Sequence, residues 1–171
     1  QSDSNSSSPG FKFSCREFSS PEIQIVFSDN STSEKFKREF SLSTHFQNID
    51  NTPGKSSQAK ISLKKESQEQ LHVNDSLDIT EQKGNCSLDF SAIPVAEYAP
   101  YFRELIPWEL ASAELSGNTA LYYNPVGKNN LKLSDGQLNL DRIIVKRPGQ
   151  KAFLETDNIL AKGINMDRAE K

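Results

Sequence analysis

The chain has 171 residues, of which 35% are hydrophobic, and its formal net charge is −3 at pH 7. This length allows one domain with a core, and the absence of an 18-residue apolar run excludes a membrane-spanning helix within the chain. Acids and bases are interspersed, so nucleic acid is not expected as a partner. Even the basic run 35–38 is flanked by Glu34 and Glu39 and is interpreted as a solvated face.

The first ten residues are polar and of low complexity, which predicts a flexible linker over 1–10 and a single domain over 11–171. Beyond the linker, short runs alternate apolar and polar residues with the period of a β-strand. Ser20-Pro21 and Gly84-Asn85 are interpreted as breaks between strands. The runs of this first half are 11–18, 23–27, 40–46, 59–63, 71–73, 77–79 and 87–90.

One segment, residues 94–108, breaks the alternation and is called the plug. Its three prolines predict a single short helix within 94–107, with Pro100 near the first helical position and Pro107 at the end. We expect the plug to cap the apolar side of a sheet at one end, with Tyr101, Phe102 and Trp108 largely buried. Its candidate contact residues are Tyr98, Tyr101, Phe102, Leu105, Ile106 and Trp108.

Strand-like runs resume after the plug at 111–115, 119–123, 131–133, 138–145, 152–156 and 159–166. Asp135-Gly136 is interpreted as a hairpin turn between two of them. About ten short strands with turn residues between them predict a mainly β fold, an antiparallel meander. The meander is expected either to form an open, curved sheet or groove capped by the plug, or to close on itself as a β-sandwich.

An open sheet would present one continuous apolar wall. Alternate side chains of a strand point to opposite faces, so Leu138 and Leu140 share one face and Asn139 takes the other. The candidate wall residues, which would contact lipid in an open groove, are Leu121, Leu133, Leu138, Leu140, Ile143 and Val145.

No residues are arranged for catalysis or for holding a cofactor. The chain has neither a Gly-x-Ser-x-Gly elbow nor a phosphate-binding loop, and an enzyme is not predicted. The two histidines, His45 and His72, are too far apart for a metal site. Cys15 and Cys86 are either two half-buried side chains or one disulfide.

Five short motifs carry a family resemblance. They are Phe27-Ser-Asp-Asn-Ser31, Ala99-Pro-Tyr-Phe102, the strand Ala113–Leu121, the run Leu133–Leu140 and the terminal Gly163-Ile-Asn-Met-Asp167. Together they resemble one repeat of the AsmA-like proteins of Gram-negative bacteria, the TamB/YhdP superfamily, in a branch with a domain of unknown function.

The resemblance implies a periplasmic, membrane-anchored protein with an apolar β-groove built from stacked repeats. Its implied function is phospholipid transport between the inner and outer membranes, or envelope maintenance, without catalytic residues. The implied partners are lipid acyl chains, neighbouring repeats of the same chain, and the membrane through segments outside this fragment. The alternative is a closed β-sandwich that serves as a binding or adhesion module of a surface protein.

Overall fold

The computed structural model describes residues 11–31, 35–65, 68, 70–124 and 129–169. The predicted linker, 1–10, lies outside the described residues. Eight strands follow one another in space as they do in sequence, each antiparallel to the next, and a 3₁₀ helix lies between the fifth and the sixth. The predicted mainly β fold with an open sheet and one short helix is therefore confirmed.

The strands are longer than predicted, and eight are described instead of about ten. Their bounds are β1 Ser14–Asp29, β2 Phe36–Asp50, β3 Ser57–Lys64, β4 Gln70–Asp78, β5 Lys83–Pro94, β6 Glu109–Tyr123, β7 Asn129–Lys146 and β8 Ala152–Ala169, and the 3₁₀ helix is Val95–Tyr101.

Two predicted breaks are wrong because a strand continues through them. β1 passes through Ser20-Pro21 with a register shift between Ser20 and Ile23, which is possible because an edge strand has no ladder on its outer side to need the missing proline donor. Gly84 lies inside β5 and pairs with Leu77, and the turn falls instead at residues 79–82.

The predicted hairpin at Asp135-Gly136 is also wrong, because these residues form a bulge within β7. Asp135 has a φ of 54°, and its backbone N–H is bound by Oδ1 of Asn165 at 3.1 Å. A second bulge lies at Arg142, also with a φ of 54°. Each bulge inserts one extra residue into β7 relative to β6.

One face of the sheet is apolar and the other is polar. Directly opposed residues of antiparallel strands share a face, and one apolar row crosses all eight strands: Ile23, Leu42, Leu63, Leu71, Phe90, Gly117, Leu138 and Ala161. We call the side carrying this row the apolar face. The adjacent row, on the polar face, reads Ser43, Ser62, His72, Asp89, Asn118 and Gln137 from β2 to β7.

Little of the apolar face is fully covered. The buried hydrophobic residues of the described chain are Phe36, Ala113, Ile143 and Val145. The last three form one cluster, against which Val95, Leu110 and Leu140 pack. The core therefore lies at the end of the sheet where the plug meets β6 and β7.

Candidate functional site

The six predicted wall residues lie on the apolar face, although their spacing along β7 is irregular. Leu121 opposes Leu133, while Leu138 and Leu140 oppose Gly117 and Leu115. The bulges at Asp135 and Arg142 reset the alternation, so odd-numbered and even-numbered residues of β7 reach the same side.

The wall residues differ in accessibility. Leu138 is 39% exposed, and Leu121, Leu133 and Leu140 are half-buried. Ile143 and Val145 are buried, because Val95 of the plug and Leu110 of β6 pack against their cluster. These two residues therefore support the plug and do not belong to the accessible wall that the sequence predicted.

The plug bridges distant strands of the sheet. Seven residues of 3₁₀ helix, rising about 2.0 Å each, span about 14 Å, which is close to three strand spacings of about 4.8 Å. The helix thus reaches from β5 to β2, where the buried Phe36 ring contacts Tyr98 and Tyr101 with centroids 5.4 and 5.0 Å away. The Tyr101 hydroxyl also donates to Oδ2 of Asp29, at the end of β1, at 3.0 Å.

Arg38 of β2 holds the helix at its proline. Pro100 lies in the helix interior, not near its first position as predicted, and it has no N–H to donate to the carbonyl of Glu97, three residues earlier. The Arg38 guanidinium donates to that carbonyl at 2.8 Å and lies 3.1 Å from the Glu97 carboxylate. It also lies 4.4 Å from the centroid of the Phe36 ring, a cation–π contact.

A second cation reaches the same carboxylate. Nζ of Lys65, just beyond β3, lies 2.7 Å from Oε2 of Glu97. Glu97 therefore ties the plug to β2 and to the end of β3 at once. Sequence reasoning missed this anchor because the run 35–38 was interpreted as a solvated face. That interpretation is correct for Lys37 but wrong for Arg38, whose side chain is 19% exposed. The available signal was a cation in an otherwise apolar alternation: Phe36, Arg38, Phe40 and Leu42.

The outer part of the plug is more exposed than predicted. Trp108 is 48% exposed, Tyr101 43% and Leu105 79%, so the expectation that Tyr101 and Trp108 are largely buried is wrong. The physical reason is that they lie where no second layer of the described chain covers the plug. Phe102 and Ile106 are half-buried.

A cleft of about 540 Å³ lies between the outer plug and the neighbouring strand ends. We call it the plug cleft. It is lined by Ala99, Phe102, Arg103, Ile106, Pro107, Trp108, Glu109, Leu110 and Pro148.

A polar spot interrupts the apolar face at its opposite end. Asp75 opposes Cys86, and the Tyr123 hydroxyl donates to Oδ2 of Asp75 at 3.3 Å. Burial, followed by the charge of Asp75, raises the pKa of Tyr123 to about 12 and also raises the pKa of the Cys86 thiol. The thiol stays protonated at neutral pH and is a poor nucleophile.

The two cysteines are not joined. Cys15 and Cys86 are both free, and they lie on β1 and β5, four strand spacings or about 19 Å apart across the sheet. A disulfide needs Cα atoms within about 7 Å. Of the two alternatives left open by the sequence, the structure has the unpaired one.

Within the described ranges, His, Cys, Asp and Glu side chains form no group of three that could hold a metal ion. The part of the chain that the structure describes also contains no helix long and apolar enough to cross a membrane. Comparison of the chain with protein-family models, curated proteins and solved structures finds no match in any of the three.

Proposed function

We propose that this chain is a segment of a periplasmic AsmA-like protein whose apolar face holds the acyl chains of phospholipids passing between the inner and outer membranes. The observation that carries the proposal is the apolar row that crosses all eight strands without a second layer of described residues over it. A large contiguous apolar surface in contact with water marks a site for a ligand, a membrane or a partner protein.

An acyl chain suits this surface because the burial of apolar surface area is enough to hold it. Burying one methylene group contributes about 0.8 kcal/mol, so ten methylene groups lying half-covered on an open face would gain about 4 kcal/mol. That gain corresponds to roughly a thousandfold preference over water, which is strong enough to retain a chain and weak enough to release it. No specific residue is needed, in keeping with a wall of plain aliphatic and aromatic side chains.

The two edges of the sheet support neighbouring repeats as partners. β1 and β8 are both edge strands, and their unpaired backbone groups are a template for further pairing. Because the number of strands is even, β8 of one unit would run antiparallel to β1 of a second unit in the same orientation. The apolar faces and the plug ends of the two units would then coincide.

Exposed apolar side chains are numerous on these two edges, and a neighbouring unit would cover part of them. Phe18, Ile23, Val26 and Phe27 of β1 are exposed, as are Phe153, Leu154, Ile159, Leu160 and Met166 of β8. Attachment to the membrane, in this proposal, belongs to segments outside the chain.

The alternative, a closed β-sandwich of a surface adhesion protein, requires a second sheet over the apolar face. The described strands form one sheet, and none of them lies across its apolar face. An open sheet therefore favours the lipid-binding proposal over the closed module.

Site-specific photo-crosslinking in cells tests the proposal. A photoreactive residue at position 138, on the apolar face, should label phospholipid. The matched control is position 139, whose Asn side chain lies on the polar face and donates to Oδ2 of Asp141 at 2.6 Å. Equal labelling at 138 and 139, or labelling at neither, would reject the groove.

A further inference from the structure

We propose that the plug cleft binds the end of one phospholipid molecule, with acyl carbons in the cleft and the phosphate beside the basic turn between β7 and β8. The inference rests on the proposed function and adds a defined subsite to it. The cleft volume of about 540 Å³ lies within the usual range of ligand pockets, about 300–1,000 Å³.

The cleft lining suits an amphiphile. Phe102, Ile106, Trp108, Leu110 and Pro148 supply apolar surface, and only Arg103 and Glu109 among its lining residues carry charge. The Glu109 carboxylate is paired with Nζ of Lys146 at 3.0 Å. A lining that is mostly apolar with a few charged groups at fixed positions orients a ligand that has one polar end.

The cleft adjoins the apolar cluster on which the wall also packs. Leu110 lines the cleft, opposes Val145 across the β6–β7 ladder, and packs against the cluster that contains Ile143. Leu140 packs against the same cluster and belongs to the half-buried wall. The cleft and the half-buried wall therefore lie on either side of one buried apolar cluster.

Charge identifies the headgroup end. Pro148 lines the cleft, and the turn that contains it carries Arg147 and Lys151, both exposed. A hydrogen bond of 2.9 Å from the N–H of Gln150 to the carbonyl of Arg147 closes this turn. Arg147 precedes Pro148 in the chain and Lys151 follows it in the same turn, so two exposed cations lie in the turn that lines this edge of the cleft, and positive charge there attracts phosphate.

Trp108 gives a direct measurement, because it is the one tryptophan of the chain and lines the cleft. The complete chain is titrated with phosphatidylglycerol carrying brominated acyl chains, in micelles of an uncharged detergent. Bromine quenches tryptophan fluorescence on contact, so we expect saturable quenching, and none with the same lipid lacking bromine.

A double variant tests the headgroup end. Arg147→Ala with Lys151→Ala should weaken binding about thirtyfold, from the loss of two basic side chains at an anionic headgroup. The matched control Lys162→Ala removes an exposed cation of β8 and should leave the titration unchanged. Equal weakening in both variants, or in neither, would overturn the headgroup assignment.

Further outcomes separate this inference from the proposed function. An unquenched Trp108 together with lipid labelling at position 138 would remove the cleft subsite and leave the groove. An unquenched Trp108 with no labelling at 138 would remove both. Inorganic phosphate that displaced the brominated lipid completely at equal concentration would show that the acyl chain adds nothing, and would also overturn the subsite.

Discussion

Arg38 satisfies a carbonyl oxygen that a proline leaves without its helical donor, and this single side chain joins two parts of the chain far apart in sequence. Its partners are the carbonyl and carboxylate of Glu97, 59 residues away, and the ring of Phe36. A hydrogen bond with a charged donor is stronger than one between neutral groups.

We therefore predict that Arg38→Ala lowers the free energy of unfolding by about 2–3 kcal/mol, the range for losing hydrogen bonds to a charged group. Lys37→Ala is the matched control, because Lys37 is exposed and pairs with the exposed Glu39. That variant should change the free energy by less than about 0.5 kcal/mol. Urea titrations of both variants make the comparison, and similar losses would mean that Arg38 is no anchor.

The raised pKa of Tyr123 predicts a loss of stability at alkaline pH. Its pKa is raised from the ordinary value near 10 to about 12, first by burial and then by the charge of Asp75. Between these two values the folded state keeps a proton that the unfolded state has lost, so the free energy of unfolding falls as pH rises through this window.

The check is unfolding of the wild type and of Tyr123→Phe at about pH 9 and at about pH 11.5, on either side of the ordinary tyrosine pKa. The variant should lose less stability between these two pH values than the wild type does. The same loss in both proteins would place the effect elsewhere, for example at Tyr101, whose pKa is also raised, mainly by burial.

At the scale of the element, the plug depends on a coupling between Pro100 and Arg38. In Pro100→Ala the backbone gains an N–H three residues after Glu97, which can donate to the Glu97 carbonyl within the 3₁₀ helix. The Glu97 carbonyl then no longer depends on Arg38 for a hydrogen-bond donor.

The prediction is a positive coupling in a double-mutant cycle. Arg38→Ala should be less destabilising in the Pro100→Ala background than in the wild type, by roughly 1 kcal/mol for one hydrogen bond. Thermal or urea unfolding of the four proteins measures the coupling. Strictly additive effects would show that Arg38 does not replace the donor that proline lacks.

Alternation predicted the strands well because each needs one apolar side, and that requirement is local. β7 shows where the method failed. The apolar positions of β7 change phase twice, from Leu131 and Leu133 to Leu138 and Leu140, and then to Ile143 and Val145. The first change was interpreted as a turn at Asp135-Gly136. It is a bulge at Asp135, and a second bulge at Arg142 causes the other change. A bulge and a turn use similar residues, so the phase change was the discriminating signal.

One short helix within 94–107 was predicted correctly, but it spans Val95–Tyr101 and does not run from Pro100 to Pro107 as expected, and its contacts were not predicted. Three prolines limit a helix locally, whereas Phe36, Arg38 and Lys65 reach it through the pairing of the four strands β2 to β5, which no local pattern encodes. Burial of Tyr101 and Trp108 was expected because large rings usually lie in a core. In this fold the described strands form one layer, and no second layer of described residues covers the outer part of the plug.

At the scale of the whole molecule, an apolar face without a cover makes lipid binding separable from folding. Residues of a closed core cannot accept a charge without unfolding the protein, since an unpaired buried charge is very costly. On an open face the charge keeps contact with water. The most exposed member of the accessible wall, Leu138, opposes Gly117, where a Cβ atom would come within 2.7 Å of the Phe90 ring.

The last prediction compares the same new side chain on the two faces. Leu138→Glu places a carboxylate on the apolar face, and Gln137→Glu places one on the polar face, opposite Asn118. Both should lower the free energy of unfolding by no more than about 1–2 kcal/mol, the usual range for a single substitution. Only Leu138→Glu should abolish lipid crosslinking from a photoreactive residue at position 133, which lies on the same face one bulge away. If Leu138→Glu unfolds the protein, the face is closed in solution and the groove is excluded; if both variants keep full crosslinking, the acyl chain does not lie on this wall.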